Sequence, residues 1–183
     1  MTSRDAAVWP PEPIRTERLV LRVAEARDRP RCIDLSASPE VGTYVGGAQP
    51  REDLERAVPA VPGQRPGFFA VALDGTMIGC VQLLDRRPAD RPGHVLPGGD
   101  EAELGYMFLP HAWGHGYAFE ACTAALAWYD AAFPGEPIVL TTQLANTPSL
   151  RLATKLGFLE SARFEEYGAD QWFGVRHPAE GGA

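Results

Sequence analysis

The sequence predicts a mixed α/β fold in which antiparallel strands come first and a β-α-β-α-β run follows. Three observations predict it. Two β-rich runs, Gly67 to Leu73 and Thr76 to Leu84, are joined by only Asp74 and Gly75, the pairing expected of a tight β-hairpin. From Tyr117 to Phe133 apolar residues recur at the 3.6-residue period of a helix with one buried face. Ile138 to Leu144 is mostly apolar and β-branched, which suits an inner strand beside parallel neighbours.

The elements follow in order. Arg18 to Val23 alternates apolar and polar residues as a half-buried strand does, and Asp28 to Ser36 is a short helix with Asp28 as N-cap and Pro30 in its first turn. The hairpin comes next, set between loops rich in proline and glycine at Pro59 to Gly67 and Arg86 to Gly99. Glu101 to Leu109 is a further strand, which Pro110 ends, and a turn punctuated by Gly114 and Gly116 leads into the long helix. That helix carries Ala118, Ala121, Cys122, Ala125, Leu126, Tyr129 and Ala132 as a stripe to pack on a sheet. After the inner strand, Pro148 to Leu156 is a short helix closed by Gly157 as the left-handed C′ residue. Phe158 to Tyr167 and Gln171 to Arg176 form a terminal antiparallel pair.

A chain of 183 residues fits one domain of ordinary size, expected over 14–178 with a loose arm at 1–13 and a flexible tail at 179–183. Composition, 45% hydrophobic and 22% charged, is that of a globular protein and excludes disordered or fibrous classes. Seventeen Lys plus Arg against 24 Asp plus Glu leave a net charge of −7. That balance argues against nucleic acid or an anionic membrane as the main partner and favours a cationic one. Cys32, Cys80 and Cys122 are far apart and odd in number, unlike a zinc site or a disulfide framework, so a reducing cytoplasm is the expected setting. The apolar stretch from Tyr117 to Phe133 is interrupted by Glu120 and Asp130, so it reads as a buried helix and not a membrane span. His94, His111, His115 and His177 show no metal-ligand spacing. Trp9, Trp113, Trp128 and Trp172 are scattered and expected in the core.

Chemistry concentrates at two helix starts. In Pro110 to Ala118 two glycines let the backbone turn its N–H groups inward, where a helix N-terminus adds unpaired donors and the positive end of its dipole. Such a turn binds phosphate, although two glycines also serve a plain tight turn. It is neither a Walker loop nor a dinucleotide fingerprint, since no Gly-Lys-Ser/Thr follows and Phe119 stands where a third glycine would. In the next unit Pro148 at the first helical position makes Thr147 the N-cap and leaves the Asn146 side chain free for a ligand; a cap displaced by one residue is the other reading.

These segments, in this order, resemble the GCN5-related N-acetyltransferases (GNAT), in particular the RimJ/RimL-like branch. The resemblance runs from Arg15-Thr16-Glu17-Arg18-Leu19-Val20-Leu21-Arg22 through Glu103-Leu104-Gly105-Tyr106, Trp113 to Ala121 and Asn146 to Phe158, to Gln171-Trp172-Phe173. It implies a central, mostly antiparallel sheet with a splayed parallel strand pair, flanked by helices, and acetyl-CoA as cofactor, with no metal. By matching position, the amides of Gly114, His115, Gly116, Tyr117 and Ala118 take the pyrophosphate. The backbone of Met107, Phe108 and Leu109 pairs with the pantetheine arm, and Asn146 contacts the cofactor. Two positions depart from the family pattern: His111 stands where Arg or Gln is common, and Ala153 where many members carry a Tyr acid. Ser149 is then the nearest hydroxyl to protonate the leaving thiolate, or else simply a first-turn helix residue.

Glu101 and Glu103 lie two apart on one strand, so like-charge proximity is expected to raise the pKa of one of them. Glu103, which matches the branch's strand-end Glu, is the candidate base, with a solvated charge run as the alternative. Glu120, in the first turn of the long helix, reads as dipole compensation. The expected function is direct acetyl transfer to a primary amine, either a protein N-terminus or a small molecule. With Asp100 beside Glu101 and Glu103, a cationic acceptor drawn in electrostatically is favoured, and homodimerisation stays open. A catalytically silent acyl-CoA-binding module and a nucleotide-phosphate binder are the other readings.

Overall fold

The computed structural model describes residues 9–83 and 87–177, so residues 1–8 of the expected arm, the expected boundary residues Leu84 and Arg86, and the expected tail at 179–183 lie outside the described residues. Two sheets form. The first is antiparallel, in the order β1 (Ile14–Arg15), β2 (Leu19–Arg22), β3 (Phe68–Leu73), β4 (Thr76–Gln82) and β6 (Gly105–Phe108). The second runs β5 (Ala102–Glu103), β7 (Ile138–Gln143), β9 (Ala169–Arg176) and β8 (Leu159–Glu166), with β5 and β7 parallel and the other pairs antiparallel. Helices α1 (Arg29–Ala37), α2 (Pro39–Gly42) and α3 (Arg51–Ala57) lie between β2 and β3. Helix α4 (Tyr117–Ala132) joins β6 to β7, and α5 (Thr147–Lys155) joins β7 to β8. This is the mixed, mostly antiparallel architecture with a parallel pair that the sequence predicts.

The β3–β4 hairpin turns on Asp74 (φ 49°) and Gly75 (φ 79°), the positive angles a two-residue turn needs to match strand twist. The expected strand from Glu101 to Leu109 is instead two pieces in different sheets. At Leu104 the amide donates to the Val139 carbonyl (2.8 Å), after which the chain leaves β7 and pairs with β4. The two strands splay there, and one backbone edge of β6 opens. On its other edge the Leu109 amide donates to the Ile78 carbonyl (2.9 Å). Antiparallel alternation then turns the peptide groups of Met107 and Leu109 toward β4 and those of Tyr106 and Phe108 toward the opening.

The core sits between α4 and the sheets. Ala121, Cys122, Ala125, Leu126 and Tyr129 are buried with Leu21, Val71, Val81, Ile138 and Leu140. Trp9 packs on this core as expected of the tryptophans, although it falls within the segment expected as a loose arm: its ring meets Phe69 edge-on at 4.9 Å and Trp128 at 6.0 Å. Asp28 precedes α1 but does not cap it with its side chain. It is buried at 2% exposure and takes both guanidinium arms of Arg22 (2.6 and 3.0 Å) and the Glu25 amide (2.8 Å). Burial pushes the Asp28 carboxyl up, but Arg22 and that amide more than offset it and leave it below the usual range.

Candidate active site

Gly114 (φ 78°) and Gly116 (φ 80°) both adopt the left-handed conformation that favours glycine, and Gly116 is the N-cap of α4. No side chain caps this helix, and its first internal bond runs from the Glu120 amide to the Gly116 carbonyl (3.1 Å). The amides of Tyr117, Ala118 and Phe119 therefore have no intrahelical acceptor, and the positive end of the helix dipole lies with them. Behind the turn, the Arg18 guanidinium stacks over the Tyr117 ring (4.6 Å) and donates to the His115 carbonyl (3.0 Å). Glu120 does more than compensate the dipole. It accepts from Thr16 Oγ1 (2.5 Å), the Arg18 amide (2.9 Å) and Arg18 Nε (2.7 Å), binding the segment before β2 to the first turn of α4. Its burial raises the carboxyl pKa, but these donors outweigh burial and hold it below the usual range.

A cleft of about 620 Å³ opens in front of this turn. Its walls are Tyr106, Met107 and Phe108 of β6, the start of α4 at Tyr117 to Phe119, and the start of α5 at Asn146, Pro148 and Ser149. Arg151 and Lys155 extend the α5 side, and Glu40, Val41 and Thr43 to Val45 form the wall contributed by α2 and the residues after it. Of the cofactor residues expected from sequence, Met107, Phe108, Gly114, Gly116, Tyr117, Ala118 and Asn146 line this cleft. Leu109 and His115 do not. Leu109 is buried with its amide bonded to Ile78, and the exposed His115 ring stacks on Tyr117 (5.4 Å). Trp113, expected in the core, is 47% exposed at the cleft, and its indole N–H donates to the Phe108 carbonyl (2.7 Å). That bond occupies one of the two carbonyls on the open edge of β6.

Three further expectations are corrected. Asn146, not Thr147, is the N-cap of α5: its Oδ1 accepts from the Ser149 amide (3.3 Å), so its side chain is not free, although its NH₂ has no partner among the described residues. Glu103 is engaged by two guanidiniums. Arg87 Nη1 donates to its Oε1 (2.9 Å), Arg91 Nη1 to its Oε2 (3.4 Å), and it is not among the cleft-lining residues. Glu101 has partners of its own. Glu101 is buried at 1% exposure and accepts the Val95 (2.6 Å) and Leu96 (2.7 Å) amides, with His94 Nδ1 at 3.0 Å. Its burial is outweighed by these donors, and its pKa lies below the usual range, so Glu101 is not the raised member expected of the pair.

Ser149 does reach the site, and it brings a residue that sequence reasoning passed over. The Tyr106 hydroxyl lies 2.6 Å from Ser149 Oγ, one from β6 and the other from the first turn of α5. Burial raises the Tyr106 phenol, against the opposing pull of Ser149. The only sequence signal for Tyr106 was its place in the Glu103-Leu104-Gly105-Tyr106 segment. Ala153, where many GNAT members carry a Tyr, is fully buried in the core.

Residues 18–159 match the family description of an acetyltransferase (GNAT) domain, so the chain belongs to the GNAT acetyltransferases. It is 26% identical over 156 residues to an uncharacterized N-acetyltransferase, YnaD, of Bacillus subtilis, spanning 84% of this chain and 86% of that protein. Its fold is similar to that of a GNAT-family acetyltransferase from Bacillus anthracis, with a TM-score of 0.73 at 24% identity over 91% of this chain and 98% of that one. The fold is also shared with RimL, a ribosomal-protein alpha-N-acetyltransferase solved in complex with coenzyme A. There the TM-score is 0.70 at 18% identity, over 91% of this chain and 98% of that one. RimL, of the branch the sequence resembles, is thus among the proteins that share this fold.

Proposed function

We propose that this acetyltransferase uses acetyl-CoA and transfers the acetyl group directly to a primary amine. The observation that carries the reading is the uncapped start of α4 just after two left-handed glycines, opening on a cleft bounded by the splayed edge of β6 and the start of α5. The residues present fit the group. The Tyr117 and Ala118 amides suit a pyrophosphate, and Arg151 and Lys155 supply the cationic charge that His111 does not replace at the turn. Tyr106 presents its N–H and carbonyl and Phe108 its N–H to an amide-bearing arm, and Asn146 keeps its NH₂ as a donor. The structure of RimL with coenzyme A supports this choice of cofactor.

Ser149 is proposed to protonate the leaving sulfur. No role as base is assigned to Glu103, whose carboxylate is held by two guanidiniums. The acceptor is proposed to be a protein N-terminus or a small amine; a Salmonella typhimurium acetyltransferase of similar fold modifies the N-terminal serine of a ribosomal protein. The buried Ala153 favours one competing reading, a silent acyl-CoA-binding module, because an acid is missing where many relatives have it. Ser149 argues the other way.

Thermal shift with CoA and with ATP, followed by free-thiol release from acetyl-CoA over a panel of amines, tests the proposal. CoA at about 100 times its Kd is expected to stabilise the fold by ~2.7 kcal/mol, with ATP far less effective. Stabilisation by CoA without thiol release for any amine would establish the silent module instead. No stabilisation by CoA would remove both readings.

A further inference from the structure

We infer that Tyr106 is a positioning residue that holds the Ser149 hydroxyl so that its hydrogen points into the cleft. The inference rests on the acetyl-transfer reading and goes beyond it by assigning a role to a strand residue. The two hydroxyls are 2.6 Å apart across the mouth of the splay, and both residues line the cleft. One hydroxyl of such a pair donates and the other accepts. A phenol is a stronger acid than an aliphatic alcohol, so Tyr106 Oη–H is the better donor and Ser149 Oγ the better acceptor. With Oγ receiving that bond, its own hydrogen is directed away from Tyr106. The Ser149 backbone is fixed independently, because its amide donates to the N-cap Asn146. Tyr106 stays neutral throughout, since burial raises its pKa.

In the transfer, the acceptor nitrogen bonds to the acetyl carbon while the carbon–sulfur bond breaks and its electron pair leaves on sulfur. Ser149 gives its hydroxyl proton to that sulfur. The proton lost by the nitrogen passes to solvent, and Ser149 regains one from solvent, so amine and thioester yield amide and thiol. Tyr106 forms no bond to the reacting atoms and acts only through Ser149.

Steady-state thiol release tests this with Tyr106→Phe, Ser149→Ala and the double variant. The acceptor is whichever of a serine-initiated hexapeptide, spermidine and benzylamine the wild type uses fastest, and water serves in slow thioester hydrolysis if none is used. Tyr106→Phe keeps the ring and is expected to lower kcat about tenfold, the worth of one hydrogen bond, with the KM for acetyl-CoA and the Kd for CoA unchanged. In the Ser149→Ala background the same change is expected to have no further effect on kcat. Full kcat in Tyr106→Phe, an equal loss in both backgrounds, or a loss confined to CoA affinity overturns the inference while leaving acetyl transfer intact. A wild type that neither binds CoA nor turns it over overturns the acetyl-transfer reading and this inference with it.

Discussion

Gly116 illustrates how a single residue sets the backbone geometry of the turn. A Cβ built there would meet only Arg18 Nη2 at 3.5 Å, an ordinary contact, so replacement costs little through collision. The cost lies in the backbone, since φ of 80° is expensive for L-residues by ~1–2 kcal/mol and more so for a β-branched one. Relaxing that strain rotates the neighbouring peptides and turns their amides away from the cleft. Gly116→Ala is therefore expected to weaken CoA binding about tenfold, and Gly116→Val more, with far-UV circular dichroism unchanged; isothermal titration measures the first and a folded variant of full affinity would refute it. That these glycines take a left-handed turn into the helix was legible in the sequence, because their place between a strand and a helix is local information. Arg87 was not legible. Its fully buried side chain donates to the carbonyls of Pro92 and Gly93, to Glu103 and to Thr141, and lies over the rings of Phe164 and Phe173. Nothing local to Arg87 announces partners so far along the chain, and arginines are mostly exposed. Missing it is what made Glu103 look like a base.

Among the elements, α4 has its start tied to a segment about a hundred positions earlier. Thr16 and Arg18 close on Glu120 while Arg18 reaches the His115 carbonyl, so the Glu120–Arg18 pair ties the segment before β2, the turn and the helix together. Glu120→Gln keeps the shape but removes the charge that holds Arg18. It is expected to cost ~1–2 kcal/mol of stability and to weaken CoA binding several-fold, because the peptide at His115 loses its anchor. Denaturant titration and calorimetric CoA binding check the two effects; stability lost with affinity intact would show that the tether serves the fold alone. The helix itself was readable from its apolar period, and its expected span differs from the observed one only at Phe133. The break at Leu104 was not, because the residues from Glu101 to Leu109 show a strand but not which sheet each half joins. The splay that opens the cleft is a property of partners, and the sequence of one strand does not contain it.

Over the whole molecule, the net charge of −7 does not act where the sequence placed it. Glu101 and Glu103, expected to steer a cationic acceptor, are taken up by His94, two amides and two arginines, and neither lines the cleft, whose charged lining residues are Glu40, Arg151 and Lys155. The acids act instead on stability against pH. Burial raises the carboxyls of Asp28, Glu101 and Glu120, yet their donors win and all three lie below the usual range; Glu166 is lowered first by its hydrogen bonds from Arg91. A carboxyl with a lower pKa in the folded than in the unfolded chain binds protons preferentially when unfolded. Its contribution is complete above the unfolded value of about 4 and is lost as pH falls through the folded one. The melting temperature is therefore expected to stay level from about pH 8 to about pH 5 and to drop steeply below about pH 4. Asp28, at 2% exposure against Arg22, carries an identifiable share of that drop. Asp28→Asn is expected to lower the melting temperature at neutral pH by leaving Arg22 without its buried partner, and to make the acid slope shallower because one proton-linked group is gone. Calorimetry of both proteins between about pH 3 and about pH 8 measures the two slopes. Parallel curves would show that Asp28 binds no extra proton on unfolding, and a wild type level down to about pH 3 would remove the carboxylates as the source of acid lability.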